Sequence, residues 1–125
     1  MLLKFKDDKA VYIQLAESIE DDILREIFNE GEKIISTTEI SVKLKINPAT
    51  ALKGINILVD EGIVYKKRGL GMFVVKGAKE KIMLKRKNGF FDSFIVPVLG
   101  EAEKLEISED EIVKMIKGAK ANGRN

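Results

Sequence analysis

The side chains that could do chemistry are few in kind. The chain of 125 residues has no cysteine and no histidine. That excludes disulfides, thiolate metal sites and any nucleophile or proton shuttle built on either residue. Gly69-Leu70-Gly71 lacks the strand-turn-helix setting of a nucleotide-binding loop. What remains is charge, and it is unevenly placed. Residues 17–32 hold seven acids and one base, Arg25. Residues 33–53 hold four bases and one acid, Glu39, and residues 63–76 hold four bases and no acid. A local basic surface on a chain of net charge +2 is suited to phosphate contact. The acidic run Glu17, Glu20, Asp21 and Asp22 reads as a solvated helix face. With no histidine and no convergent partner it predicts no metal site, and nothing predicts an enzyme or a cofactor.

The basic residues need elements to aim them. Tyr12, Leu15, Ala16, Ile19, Ile23 and Ile27 recur at helical steps and predict a first helix over 11–28. Ser36-Thr37-Thr38-Glu39 is a capping box that opens a second helix carrying Ile40 and Leu44. Asn47-Pro48 opens a third, with Leu52, Ile55, Leu58 and Val59 as its buried face and Gly62 just past its end. Three residues separate Leu44 from Pro48, which is helix-turn-helix spacing. Ile63-Val64-Tyr65 and Met72-Phe73-Val74-Val75 then flank Lys66-Lys67-Arg68-Gly69-Leu70-Gly71, a hairpin with a cationic tip. Three helices followed by a basic hairpin make a winged helix-turn-helix, spanning 1–76.

The chemistry follows from that frame. The start of a recognition helix meets phosphates and base edges in the major groove. This makes Asn47, Ala49, Thr50 and Lys53 the candidate reading residues. Capping alone explains Asn47 and Pro48, whereas Thr50 and Lys53 have no such structural reason. Ser36, Thr37 and Thr38 begin the second helix, where free amides favour a phosphate, although Ser36 is also a plain cap. Lys67, Arg68, Gly69 and Gly71, next to Lys66, would contact DNA from the wing, the glycines allowing close approach. Double-stranded DNA is the expected partner.

Residues 77–125 predict a short helical tail, so the fold class is mostly α with one small β-hairpin. Pro97 is expected to kink or split the first tail helix. Ser108-Glu109-Asp110-Glu111 opens a last one, which Gly118 ends, with 119–125 frayed. Phe90, Phe91, Phe94, Ile95 and Val98 could pack within the chain, form a symmetric dimer or line an effector pocket. Two helices cannot both enclose a ligand and hide their own apolar faces, which favours the homodimer and leaves any effector unknown. The first residues are too short and too charged for a signal peptide, and no run suits a membrane span. A cytoplasmic protein with no membrane partner is the expectation.

These residues resemble the DNA-binding domain of the GntR family of bacterial transcription factors. The carrying pieces are Val11-Tyr12-Ile13-Gln14-Leu15, Glu32-Lys33-Ile34-Ile35-Ser36, Val42 through Thr50, Leu58-Val59-Asp60-Glu61-Gly62 and Lys67 through Val74. The short tail is similar to that of the YtrA-like branch, whose members dimerise through it. The resemblance implies a homodimeric repressor on a pseudo-palindromic operator, with control of its own gene and of neighbouring transporter genes. Three positions depart from the family pattern. Ile35 stands where proline is usual, Thr38 where a DNA-contacting arginine is usual, and Lys53-Gly54 where arginine-alanine is usual. A glycine inside a helix costs roughly 1 kcal/mol against alanine. Thr38 and the low net charge motivate an alternative, a winged helix redirected to protein–protein contact.

Overall fold

The computed structural model describes residues 3–121. The chain divides into two compact units, one up to Lys85 and one from Arg86 on. In the first unit, α1 (Val11–Leu24), α2 (Thr37–Leu44) and α3 (Pro48–Asp60) precede β1 (Val64–Lys67) and β2 (Gly71–Val74). Leu15, Ile19 and Ile23 from α1 meet Ile40 from α2, Ile55 and Leu58 from α3, and Val64 and Val74 from the hairpin. Ala78 and Ile82 of α4 (Ala78–Phe90) complete that core.

The first helix ends sooner than its apolar spacing predicts. Glu26 adopts a left-handed φ of 61°, and the amides of Ile27 and Phe28 both turn back to the Asp22 carbonyl. The stripe is therefore cut at Leu24, and Ile27 is exposed.

The buried face of α3 is also rotated from the expected one. Ala51, Gly54, Ile55 and Leu58 face inward, while Leu52 and Val59 are exposed. The reason is close approach of α1. A Cβ at Gly54 would lie 2.9 Å from the Tyr12 carbonyl oxygen and 2.9 Å from Leu15 Cδ2. Small residues, not large ones, make this crossing. The glycine is thus a packing requirement that offsets its helix-propensity cost.

The acidic run is not a solvated face. Glu20 and Asp22 are each only 2% exposed. Arg25 donates to Asp22 Oδ1 at 3.2 Å. Lys85 of α4 donates to Glu20, and also to Glu61 beyond α3 at 2.8 Å. Burial works against the charge on Lys85. Its hydrogen bonds to Glu20 and Glu61, and their negative charges, outweigh that and raise its pKa above the ordinary 10.5.

In the second unit, helical backbone passes from α4 through a π-helical turn (Phe91–Ile95) into α5 (Val96–Lys104). The α-helical stretch is divided just before Pro97, by the π turn and not by a break in helical backbone. Pro97 sits in the first turn of α5, directly after the wider turn. Proline lacks an N–H and crowds the carbonyl four residues back, and a π turn accommodates both defects. The last helix, α6 (Glu109–Ala121), is capped by Ser108, whose Oγ accepts from the Glu111 amide at 3.1 Å. It runs through Gly118, contrary to the expected stop, and covers the start of the expected frayed stretch. The remainder of that stretch, 122–125, lies outside the described residues. No helix among the described residues is long and apolar enough to cross a membrane.

Candidate nucleic-acid interface

The helix-turn-helix is built by local hydrogen bonds. Ser36 Oγ accepts from the Glu39 amide at 3.0 Å, and the Glu39 carboxylate accepts from the Ser36 amide at 3.4 Å. Lys45 ends α2 in a left-handed conformation with φ 53°. Ser41 Oγ then donates to the Ile46 carbonyl at 2.7 Å, closing the turn. Asn47 Oδ1 accepts from the Ala49 amide at 2.8 Å and starts α3.

The two helix starts differ electrostatically. The first turn of α2 contains Glu39, which offsets the positive end of its dipole. The first turn of α3 holds no acid. Asn47, Pro48 and Ala49 are exposed there, with Thr50 half-buried. The positive end of the α3 dipole is thus offset by no acid, with Asn47 capping one of its free amides. Thr37 is half-buried and Thr38 exposed at the neighbouring start of α2.

Lys53 follows one turn along α3. Its Nζ lies 4.1 Å from the centroid of the Tyr12 ring on α1. The lysine therefore has a structural partner that its sequence position does not reveal. A cation–π contact of this kind holds the ammonium in place without neutralising it.

The wing is similarly ordered. Its strands pair Val64 with Val74, Tyr65 with Phe73, Lys66 with Met72 and Lys67 with Gly71. Arg68, Gly69 and Leu70 form the tip, closed by the Leu70 amide on the Lys67 carbonyl at 2.9 Å. Gly69 (φ 77°) and Gly71 (φ 121°) take backbone conformations that favour glycine. Lys67 Nζ lies 4.3 Å from the Phe73 ring centroid and 5.7 Å from that of Tyr65. Lys66, Lys67, Arg68 and Gly69 are exposed and Gly71 half-buried.

Ion pairing separates two classes of cation. Lys79 pairs with Glu26 at 3.1 Å, and Lys85 with Glu20 and Glu61. The acidic segment is thus balanced by α4 together with Lys9 and Arg25. Among the described residues, Lys33, Lys53, Lys66, Lys67 and Arg68 enter no ion pair. The net charge of +2 conceals this partition.

Three supporting residues escaped the sequence reading: Tyr12 beneath Lys53, Phe73 beneath Lys67, and Lys33 beside Gly71. Lys33 Cε lies 2.7 Å from the point a Cβ on Gly71 would occupy. The contacts of Tyr12 with Lys53 and of Lys33 with Gly71 join residues far apart in the chain, and that of Phe73 with Lys67 crosses the hairpin. Only the aromatic types of Tyr12 and Phe73 carried any signal.

The second unit presents an apolar surface. Phe90, Phe91, Phe94 and Val98 are exposed, and Ile95 is half-buried. The Phe90 and Phe94 rings lie 5.2 Å apart. Among the described residues of that unit, Ala102 is the one buried apolar side chain. No group of three or more acidic, histidine or cysteine side chains that could hold a metal ion occurs among the described residues.

No family model matches the chain. Relatives do. The chain is 30% identical over 120 residues to the HTH-type transcriptional repressor YtrA of Bacillus subtilis, covering 90% of this chain and 91% of that protein. It is 25% identical over 114 residues to the uncharacterized HTH-type transcriptional regulator YhcF of the same species, covering 91% and 93%. Among solved structures, a GntR-family transcriptional regulator from Bacteroides thetaiotaomicron matches with TM-score 0.73 and 33% identity, over 92% of this chain and all of that one. BusR of Streptococcus agalactiae, solved with its busAB-promoter DNA, matches at TM-score 0.60 and 28% identity, over 92% of this chain and 54% of that one. With a winged helix-turn-helix, a short helical tail and a YtrA relative matched almost end to end, the chain belongs to the GntR family of helix-turn-helix transcriptional regulators, among its YtrA-type members.

Proposed function

We propose that the chain is a homodimeric repressor that reads a pseudo-palindromic operator in double-stranded DNA. The observation that carries this reading is the acid-free, exposed start of α3 beside a wing of unpaired cations. Major-groove reading falls to Asn47, Ala49, Thr50 and Lys53, while Ser36, Thr37 and Thr38 take a phosphate at the start of α2. Lys67 and Arg68 bind backbone phosphate from the wing, with Gly69 and Gly71 allowing close approach. The functional division is a DNA-binding domain over 1–76 and a dimerisation tail over 77–125. Phe90, Phe91, Phe94, Ile95 and Val98 support the dimer, because a second copy covers apolar surface that one copy leaves in water. The relative whose name is a repressor, and the neighbour solved on promoter DNA, support the direction of regulation and the ligand. The reading places the protein in the cytoplasm and assigns it no catalytic role.

The test is a nuclease footprint on the DNA upstream of the protein's own gene. Two protected half-sites whose centres lie about one helical turn, ~34 Å, or a multiple of it apart are expected. A single protected half-site would overturn the dimeric reading. No protection would overturn the operator reading.

A further inference from the structure

We propose that Lys33 is an additional phosphate-binding residue of the wing, acting with Lys67 on the DNA backbone; this rests on the DNA-binding reading above. Lys33 precedes α2 and lies far in sequence from the hairpin, yet its backbone is part of the same sheet. The Gly31 amide donates to the Val74 carbonyl, the Val74 amide to the Glu32 carbonyl and the Ile34 amide to the Met72 carbonyl, each at 2.9 Å. Lys33 thereby bridges to Phe73 on the edge of β2 that β1 leaves open.

The pairing fixes where its side chain goes. Lys33, Phe73 and Tyr65 lie in one row across the sheet and share a face. Lys67, two residues beyond Tyr65, projects from that face too. The opposite face carries Val64 and Val74 into the core. Gly71 stands directly across from Lys67 and has no side chain, and Lys33 extends into that space. Its Nζ lies 3.5 Å from the point where a Cβ on Gly71 would be. Lys33 and Lys67, from separate strands, therefore project from one face of the sheet beside Gly71, Lys67 over the Phe73 ring.

Neither is neutralised. The nearest acid in sequence, Glu32, turns its carboxylate to the Asn29 amide at 2.8 Å. Neither lysine enters an ion pair among the described residues. Two like charges on one face of the sheet repel, and an anion between them removes that cost. A phosphate oxygen accepts from both, whereas a base edge offers no formal charge. The contact therefore adds affinity and no sequence preference.

The test uses the full-length protein and a labelled duplex from the upstream region, with affinity measured across a sodium chloride series. Lys33→Gln is expected to reduce the magnitude of the log–log salt slope by about 0.9 relative to wild type. It should weaken cognate and scrambled duplexes by the same factor. Lys33→Arg should keep the wild-type slope, as should Lys120→Gln in α6, a change of equal charge elsewhere. An unchanged slope in Lys33→Gln would overturn the proposal while leaving wild-type DNA binding intact. Absence of salt-dependent binding in the wild type would overturn the DNA reading itself, and this inference with it.

Discussion

Gly54 and Lys85 show how far a residue's meaning depends on what it faces. By helix propensity, Gly54→Ala should stabilise α3 by about 1 kcal/mol. The added methyl would instead press on the Tyr12 carbonyl and Leu15. Overpacking of that kind costs about 1–3 kcal/mol. A net loss of about 1 kcal/mol is expected in urea unfolding, and a gain would show that α1 and α3 separate easily. Lys85 neutralises the buried Glu20 and also holds Glu61. Lys85→Met takes a cation from the buried Glu20 carboxylate; with the Lys85 side chain 45% exposed, the expected cost is about 1–2 kcal/mol. Glu20→Gln added to it should recover much of the loss. The pH dependence has a definite sign. The pKa of Lys85 is raised in the folded state, so its contribution is complete below the unfolded value of 10.5. It is lost as pH rises through the higher folded value. Lys85→Met should therefore flatten the alkaline fall in stability seen in the wild type. A fall of equal size in both proteins would assign it to other groups.

At the scale of elements, what was legible in the sequence was mostly local. The capping box at Ser36, the Asn47-Pro48 start and the Gly62 stop all occur where their residues indicate. So does the hairpin, though Lys66 and Lys67 lie within β1 and the tip is shorter than the glycine-bearing run. Features set by tertiary contact were not legible. Apolar periodicity favours large side chains, so it chose Leu52 and Val59 over Ala51 and Gly54, where α1 in fact crosses. It also continued α1 beyond Glu26, because nothing in the residue type announces a left-handed glutamate. The strand-like pairing of Lys33 with Phe73 is non-local and left no pattern. The start of α2 carries the clearest functional prediction. Thr38 is exposed in the first turn, where the resemblance implies an arginine. Thr38→Arg adds a guanidinium that can bond phosphate or guanine in bidentate fashion. Affinity for the upstream DNA should rise about tenfold. Unchanged or weaker binding would show that this turn does not face DNA.

For the whole molecule, charge and apolar surface are sorted into different regions. Acids of α1 and its following loop pair with Lys9, Arg25 and two lysines of α4. Among the described residues, the cations of α3, the wing and the strand beside it are some of those that enter no ion pair. The exposed phenylalanines belong to the second unit. A near-neutral chain can thus present a basic surface to DNA without a large net charge. If a second copy covers the aromatic surface, Phe94→Glu should yield monomers by light scattering. Loss of bivalency should then weaken operator binding by about 100-fold or more. A dimer that persists in Phe94→Glu would place the interface elsewhere.

The central claim is sequence-selective DNA binding through α3 and the wing. Its most direct test is a mobility-shift titration of the purified chain against the DNA upstream of its own gene, at near-physiological salt, with scrambled competitor in excess. The account predicts selective retention of the upstream fragment, and its loss in a Thr50→Ala, Lys53→Ala variant that remains folded. Equal competition by scrambled DNA, or no retention at all, would contradict it.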